Sequence, residues 1–268
     1  MVKKMLGFIG TGNMATAIIK GVVSSSFLKE EQIAVFDKDK KKMQALKEKY
    51  NLNVMPSASE LAKSCSEIVL SVKPNVIGDV LSEIDKELSS SNPLIISIAA
   101  GKTLDFLESS LSFDARIIRV MPNINAVVGQ AISAFCKNET ATDDDAAFAE
   151  KLLSSFGRAI NIPEKQFSIY SAIGGCSPAF SYMFIDALAR AAVQNSMAKD
   201  VALEVSAQAV LGSAKMILES AEHPWALVDK VCSPGGTTIE GVLALQKDGF
   251  EAAVTDAVNA AFEKDKKL

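Results

Sequence analysis

The sequence predicts an α/β protein with an N-terminal doubly wound parallel sheet and a C-terminal all-helical dimerisation domain. Up to about residue 162, short apolar runs rich in β-branched residues alternate with amphipathic stretches, which is typical of βαβ units. After Pro163 the strand pattern stops, and long helical patterns follow. We therefore predict a Rossmann-like domain over residues 1–162 and a helical domain over residues 163–268.

The N-terminal pattern also predicts individual strands and helices. Its apolar runs predict buried strands, because β-branched residues are common in them. These runs are Met5–Ile9, Ile33–Phe36, Ile68–Val72, Leu94–Ile98, Ile117–Val120, Ile132–Phe135 and Ala159–Ile162. Between them, Met14–Ser25 and Val76–Leu88 have the spacing of amphipathic helices.

The overall composition argues against several classes of function. The 268 residues carry a net charge of −4, which does not favour nucleic acid or an anionic membrane as a partner. No segment has about 18 uninterrupted apolar residues, so we expect no membrane span. The four cysteines are far apart and His223 is the only histidine. We therefore expect no metal site, and a cytoplasmic protein with reduced thiols.

Two long C-terminal patterns, Ala179–Met197 and Asp200–Glu219, predict helices that are apolar almost all round. Each has only a narrow polar stripe, so each needs burial over most of its surface. A small helical domain can hardly bury both by itself. We therefore expect a second subunit to cover them, in a homodimer or a higher oligomer built from dimers, with each active site drawing on both chains. The alternative is that they pack only on the N-terminal domain.

A glycine-rich segment joins the first predicted strand to the first predicted helix. It consists of Gly10, Thr11, Gly12, Asn13, Met14 and Ala15. Gly10 allows a tight turn, Gly12 lets the backbone approach a pyrophosphate, and Ala15 keeps helix and strand close. The N-terminus of the helix then faces the phosphates. This context predicts binding of NADP(H) or NAD(H); the alternative is a structural turn between strand and helix.

The end of the second predicted strand gives conflicting signals about the cofactor. Asp37 would bond the adenine-ribose hydroxyls and favour NAD(H). Lys38 and Lys40–Lys42 follow at once and could pair with the 2′-phosphate of NADP(H). Alternatively, Asp37 caps a helix that starts near Lys38.

Three more strand ends are candidate parts of the cofactor site. Ligands of doubly wound sheets bind outside the carboxyl ends of the strands. The residues concerned are Ser71, Val72, Lys73 and Pro74, then Ala99, Ala100 and Gly101, and finally Met121, Pro122 and Asn123. Any one of these could be only a turn, but several at one edge favour a site.

A second candidate site lies in the helical half, where a run of small and hydroxyl residues precedes the predicted helix Ile239–Gln246. The run is Ser233, Pro234, Gly235, Gly236, Thr237 and Thr238. Its glycines permit unusual backbone angles, and the helix start presents free N–H groups and the positive end of its dipole. Together these predict a nest that binds a carboxylate. The alternative is an ordinary helix cap, which would explain one threonine.

Several of these segments resemble the pyrroline-5-carboxylate reductase family. They are Gly7-Phe8-Ile9-Gly10-Thr11-Gly12-Asn13-Met14, Val72-Lys73-Pro74, Arg119-Val120-Met121-Pro122-Asn123, Gly175-Cys176-Ser177-Pro178-Ala179-Phe180 and Cys232-Ser233-Pro234-Gly235-Gly236-Thr237-Thr238. The resemblance extends from about residue 4 to residue 265, and the Ser-Pro-Gly-Gly-Thr-Thr run is its most specific motif. Cys176 and Phe180 depart from the Ser and Tyr that are usual in the family. Asp37 departs from the small uncharged residue that is common in NADP-using members.

The resemblance implies reduction of 1-pyrroline-5-carboxylate to L-proline with NAD(P)H. It implies that Ser233, Gly235, Gly236, Thr237 and Thr238 hold the substrate carboxylate, and that Thr238 reaches the ring nitrogen. It also implies that the segments Val72–Pro74 and Met121–Asn123 line the cofactor cleft, and that the helical domain interlocks with that of a partner.

Two other functions fit parts of the pattern. A β-hydroxyacid dehydrogenase-like enzyme needs a lysine or histidine base in the cleft. However, no lysine follows the segment Gly174–Phe180 before Lys199, and His223 precedes Pro224 as at a helix start. A non-catalytic NAD(P)-binding sensor would keep the glycine-rich segment without needing Ser233–Thr238. Fold analogy alone does not separate that sensor from an enzyme.

Overall fold

The computed structural model describes residues 5–267, so the outermost residues of the two predicted domains, 1–4 and 268, lie outside the described residues. The chain divides into two compact units. The first extends to Gly175 and includes residues 265–267, and the second is Cys176–Lys264. The domain boundary predicted between residues 162 and 163 stays a prediction.

The first unit is built on one eight-stranded sheet. Its strands are β1 Leu6–Ile9, β2 Ile33–Phe36, β3 Asn53–Val54, β4 Glu67–Leu70, β5 Leu94–Ser97, β6 Ile117–Met121, β7 Ala131–Lys137 and β8 Gly157–Asn161. They lie in the order β3-β2-β1-β4-β5-β6-β7-β8, and β1 to β6 pair in parallel. Each predicted strand overlaps one of these. Only β3 was not predicted, because two residues are too few to form an apolar run.

Strand β7 departs from the predicted parallel arrangement, because it runs antiparallel to β6 and parallel to β8. A parallel crossover needs about a dozen or more residues, whereas β6 ends at Met121 and β7 begins already at Ala131. The short link holds only the 3-10 turn Ile124–Val128, so the chain returns beside β6 in the opposite direction. A crossover helix, Asp143–Ser154, then joins β7 to β8.

Helices cover both faces of this sheet. They are α1 Asn13–Ser24, α2 Lys40–Tyr50, α3 Ala58–Ser64, α4 Ile77–Ser91, α5 Leu104–Ser109, α6 Asp143–Ser154 and α7 Phe167–Tyr170, the last continuing as the π-helical turn Ser171–Gly175. Successive strand residues point to opposite faces. Accordingly, Val69 packs in the core formed with α1 and α6, while Ile68 and Leu70 pack in the core formed with α3 and α4.

The second unit consists of helices. They are α8 Ser177–Gln194, α9 Lys199–Ser220, α10 Pro224–Val231, α11 Thr237–Lys247 and α12 Phe250–Asp265. Helices α8 and α9 pack on each other and correspond to the two long helices predicted from the sequence. The rings of Phe184 and Phe250 pack with their centroids 6.0 Å apart.

Most of the apolar surface of α8 and α9 is exposed in the single chain. Met183 is 73 % exposed, Leu211 60 % and Leu218 67 %. Among the described residues, α9 alone is long and apolar enough to cross a membrane by length and composition, with a mean hydropathy of 1.4. Core helices of soluble proteins also meet this criterion. The two helices therefore need a covering surface that the second unit does not itself supply.

Candidate active site

The glycine-rich turn leaves β1 at Gly10. This residue has φ +95°, a conformation that glycine adopts at little cost. Its N–H donates to the Phe36 carbonyl oxygen at 2.8 Å. A Cβ at this position would lie 2.5 Å from the Ser71 carbonyl oxygen. Gly10 thus allows the turn to pack directly on the backbone that follows β4.

The first turn of α1 is open. Gly12 is its N-cap, no side chain caps the helix, and its first turn contains no acidic residue. Apart from Gly12 itself and its chain neighbours, no atom in the described part of the chain lies within 4 Å of a Cβ placed on Gly12. Asn13 is exposed and Met14 half-buried, whereas Ala15 is buried under the helix. Free N–H groups beside open space form an anion site, and this arrangement fits a pyrophosphate.

Asp37 follows β2 and holds the glycine-rich turn. Its Oδ2 accepts the N–H and the hydroxyl of Thr11 at 2.7 and 2.8 Å, and its Oδ1 accepts the Asp39 N–H at 2.9 Å. Burial by itself raises the pKa of Asp37, but the hydrogen bonds from Asp39 and Thr11 and the charge of Lys42 outweigh it and lower that pKa. The carboxylate is therefore ionised at neutral pH.

The alternative that Asp37 caps a helix near Lys38 is wrong. Helix α2 begins at Lys40, and the side chain of Asp39 accepts hydrogen bonds from the N–H groups of Lys41 and Lys42. Asp39 therefore caps the helix, and Asp37 remains at the cavity beside the glycine-rich turn.

A cavity of about 310 Å³ adjoins this turn. Of the predicted cofactor residues, the structure brings together Gly10, Gly12, Asp37, Lys38, Ser71, Val72 and Lys73 on its wall. The sequence did not indicate four further wall residues, Ala58, Val76, Val80 and Glu83. They lie on or next to α3 and α4, and no sequence motif marks them as parts of a site.

The remaining predicted cofactor residues are not on this wall. Thr11 is buried, while Asn13, Met14 and Pro74 lie within two residues of wall residues in the chain. Ala99, Ala100 and Gly101 follow β5, and Met121, Pro122 and Asn123 close or follow β6. Because β1, β4, β5 and β6 are parallel neighbours, these ends share one edge of the sheet.

The Asn123 side chain is part of the scaffold. It is buried; its Nδ2 donates to the Gly174 carbonyl oxygen at 2.9 Å, and its Oδ1 accepts the Ile132 N–H at 3.3 Å. The amide therefore fixes the loop after β6 against the π-helical turn.

In the second unit, the Ser233–Thr238 run forms a tight turn into α11. The Gly236 N–H donates to the Ser233 carbonyl oxygen at 3.0 Å. A Cβ on Gly236 would lie 2.4 Å from the Ser233 Oγ, so only glycine fits without displacement. Gly235 has φ +67°. The turn therefore depends on both glycines.

Gly236, and not a threonine, is the N-cap of α11, and no side chain caps this helix. The explanation of either threonine as an ordinary cap is therefore wrong. The helix begins at Thr237, two residues before the predicted start, so Thr237 and Thr238 stand in its first turn. Both are exposed, and within residues 5–267 neither hydroxyl has a hydrogen-bond partner. Free N–H groups and two free hydroxyls together suit a carboxylate with a neighbouring polar group.

The lone histidine has a structural role. Its Nδ1 accepts the Trp225 N–H at 3.3 Å, so His223 is the N-cap of α10. This agrees with its prediction as a helix-start residue and leaves no histidine to act as a base in the described part of the chain.

The sheet, the open start of α1 and the adjoining cavity define a dinucleotide-dependent oxidoreductase with a helical C-terminal unit. Residues 5–101 match the family model described as NADP oxidoreductase, coenzyme F420-dependent. Residues 164–268 match the model described as pyrroline-5-carboxylate reductase dimerisation. The chain belongs to the pyrroline-5-carboxylate reductase family.

Individual pyrroline-5-carboxylate reductases match this chain over nearly its whole length. The chain is 43 % identical to the pyrroline-5-carboxylate reductase of Escherichia coli K12, covering 99 % of this chain and 98 % of the relative. It is 36 % identical to that of Arabidopsis thaliana, covering 98 % and 95 %. The predicted family and enzyme class are confirmed, and the hydroxyacid dehydrogenase and sensor alternatives lose their support.

Solved structures give the same result for the fold. The pyrroline-5-carboxylate reductase of Coxiella burnetii has a TM-score of 0.94 and 31 % identity, covering 99 % of this chain and 98 % of that one. The Plasmodium falciparum pyrroline carboxylate reductase with NADP bound has a TM-score of 0.88 and 35 % identity, covering 100 % and 98 %. The predicted fold class is thereby confirmed.

Proposed function

We propose that this protein reduces the C=N bond of 1-pyrroline-5-carboxylate with NAD(P)H to give L-proline, the last step of proline biosynthesis. The observation that carries the proposal is the start of α11, with free N–H groups and two exposed threonine hydroxyls that have no partner within residues 5–267. An anionic cyclic imine has the matching groups, a carboxylate beside a ring nitrogen. We further propose a cytoplasmic homodimer, or a higher homo-oligomer built from dimers.

The cofactor site fits a nicotinamide dinucleotide. Gly10, Thr11, Gly12, Asn13 and Met14 would hold the pyrophosphate at the open start of α1. Asp37 and Lys38 would face the adenine ribose, and Ser71, Val72, Lys73 and Pro74 would flank it. The residues Ala99–Gly101 and Met121–Asn123 would extend the site along the same sheet edge. When bound, NADPH or NADH supplies the hydride.

The proposed substrate site needs no strong general acid. The turn made by Ser233, Gly235 and Gly236 and the first N–H groups of α11 hold the carboxylate, helped by the positive end of the helix dipole. Thr238 donates its hydroxyl hydrogen to the ring nitrogen. As the double bond is lost, that nitrogen becomes more basic, and the hydroxyl relays a proton to it from water. Positioning of the two reactants then supplies much of the rate.

The test is a spectrophotometric assay of NADPH and NADH oxidation with and without 1-pyrroline-5-carboxylate. We expect oxidation that depends on the imine. Thr238→Ala should lower kcat/KM about ten- to a hundredfold, because a hydrogen bond to a charged group contributes ~1.5–3 kcal/mol. A substantial part of the loss should be in kcat, since the nitrogen becomes more basic in the transition state and its need for a hydrogen bond or a proton grows there.

Three measurements make this test specific. Thr238→Ser keeps the hydroxyl and should recover most of the activity. Thr237→Ala should lower kcat/KM less than Thr238→Ala, because the Thr237 hydroxyl is not assigned to the ring nitrogen. Cofactor binding, followed by fluorescence, should survive in each variant. Near-wild-type turnover in Thr238→Ala would remove Thr238 from the mechanism, and absence of imine-dependent oxidation in the wild type would refute the function.

A further inference from the structure

The Asp37 carboxylate is largely occupied by the protein itself. A carboxylate has about four positions at which it can accept a hydrogen bond. Thr11 fills two of them on Oδ2, with its N–H and its hydroxyl, and Asp39 fills one on Oδ1. About one position remains, on Oδ1. An acidic residue at this place in a dinucleotide fold hydrogen-bonds the ribose 2′-hydroxyl.

The hydroxyl of Thr11 is the unusual donor among these three. Thr11 is only 3 % exposed, and within residues 5–267 its hydroxyl has Asp37 as its sole hydrogen-bond partner. The two N–H donors belong to the backbone and stay in place whatever side chain stands at residue 11. The second acceptor position of Oδ2 is therefore filled only when residue 11 carries a hydroxyl.

We propose that Thr11 is a specificity-determining residue of the cofactor site: by donating its hydroxyl hydrogen to Asp37, it makes that carboxylate a weaker acceptor for an adenine-ribose hydroxyl, and so weakens discrimination against NADPH. The inference rests on the proposed cofactor site and deepens it. It names a buried side chain, not one on the wall of the cavity, as the determinant.

The surrounding charges support this effect. Hydrogen-bond donors on both oxygens reduce the capacity of the carboxylate to accept a bond from a ribose hydroxyl and offset part of its negative charge. Lys38 and Lys42 stand on the same cavity wall as Asp37 and can pair with a phosphate. Compared with a carboxylate that has no such donors, Asp37 therefore stabilises a bound ribose hydroxyl less. It also repels a 2′-phosphate less.

The experiment compares Thr11→Val, Thr11→Ala and Thr11→Ser by the dissociation constants of NADH and NADPH, measured by fluorescence without imine. Thr11→Val keeps the buried volume without the hydroxyl, and Thr11→Ala guards against misfit of the valine. Both should shift the ratio of the two constants toward NADH by about three- to tenfold, the size of one net hydrogen bond. Thr11→Ser keeps the hydroxyl and should retain the wild-type ratio.

Two results would overturn the inference. One is an unchanged ratio in both Thr11→Val and Thr11→Ala. The other is an equal weakening of NADH binding and NADPH binding, which would mean that Thr11 only stabilises the glycine-rich turn. Because binding is measured without substrate, failure of the reductase proposal leaves this test intact. The steady-state preference of kcat/KM should follow the same direction if both proposals hold.

Discussion

At the residue scale, Asp37 combines a structural contact with a charge on the cavity wall beside the glycine-rich turn. Its carboxylate fixes Thr11 of the glycine-rich turn, and it also stands on the wall of the cavity. Hydrogen bonds and Lys42 lower its pKa despite burial, so it is charged throughout the pH range of an ordinary assay. A carboxylate there disfavours the 2′-phosphate of NADPH relative to the ribose hydroxyl of NADH.

Replacing Asp37 by serine should shift the preference toward NADPH. Removal of the charge ends the repulsion with the 2′-phosphate, and the expected rise in the NADPH/NADH ratio of kcat/KM is about tenfold. Asp39→Ser is the matched control: it removes a carboxylate two residues away while serine can still cap α2. An unchanged ratio in Asp37→Ser, or an equal change in both variants, would place Asp37 away from the ribose.

At the element scale, the start of α6 is held by a network centred on Asp145. Its Oδ2 accepts the N–H and the hydroxyl of Thr142, the N-cap, while its own N–H donates to the Thr142 Oγ1. Its Oδ1 accepts from Arg116 at 2.6 Å. Arg116 also donates to the Asn92 carbonyl oxygen after α4. The network therefore joins the capping box of α6 to two other parts of the first unit.

Asp145→Asn should destabilise the protein by about 1.5–3 kcal/mol at pH 7, because the buried carboxylate accepts charge-assisted hydrogen bonds. Denaturant unfolding measures the difference. Asp144→Asn is the control, because Asp144 lies in the same first turn but is exposed. If Asp145→Asn lowers the free energy of unfolding no more than Asp144→Asn does, the proposed role of the network is wrong.

The pH dependence follows from the direction of the pKa shift. Burial raises the pKa of Asp145, but the Thr142 hydrogen bonds and Arg116 outweigh it and lower the pKa below its ordinary value of 3.8. The unfolded state thus takes up the proton first, so the stabilisation is fully present above pH 3.8 and is lost as pH falls through the folded-state pKa. The difference between wild type and Asp145→Asn should shrink over that acid range.

At the scale of the whole molecule, α8 and α9 expose a large apolar face in the single chain. Large apolar side chains such as Met183, Leu211 and Leu218 are more than half exposed in the single chain. Their residues fall within the part that matches the dimerisation model. This supports an oligomer in which a second copy covers these helices, since burial of apolar area is the main force in such association.

Leu211→Glu should disrupt this assembly, because it places a charge in a surface that must be desolvated. Multi-angle light scattering should show at least a dimer for the wild type at micromolar concentration, and monomers or aggregates for the variant. Ser89→Glu adds the same charge at an exposed position of α4 and should leave the mass unchanged. A folded, active wild-type monomer would refute an obligate dimer.

Much of the fold and part of the site followed from local sequence patterns. Strand and helix positions depend on periodicity within about ten residues, and the bounds of β2, Ile33–Phe36, agree with the prediction. The glycine-rich turn and the Ser233–Thr238 run were recognisable for the same reason. The reversal of β7 was missed, although the short link after Met121 was visible, because direction depends on the length of a connection and not on periodicity.

Local sequence patterns were enough to predict the fold class and the family correctly, and they also predict segments that bind a dinucleotide and a carboxylate, because backbone conformation and residue chemistry in those segments are local properties. The tertiary structure decided which side chains are already engaged. Thr11 and Asp37 are 26 residues apart in the chain, and Arg119 and Glu164, which form a 2.8 Å ion pair, are 45 apart. Such pairs form only when strand ends and loops converge in the packed sheet, so no local pattern contains them.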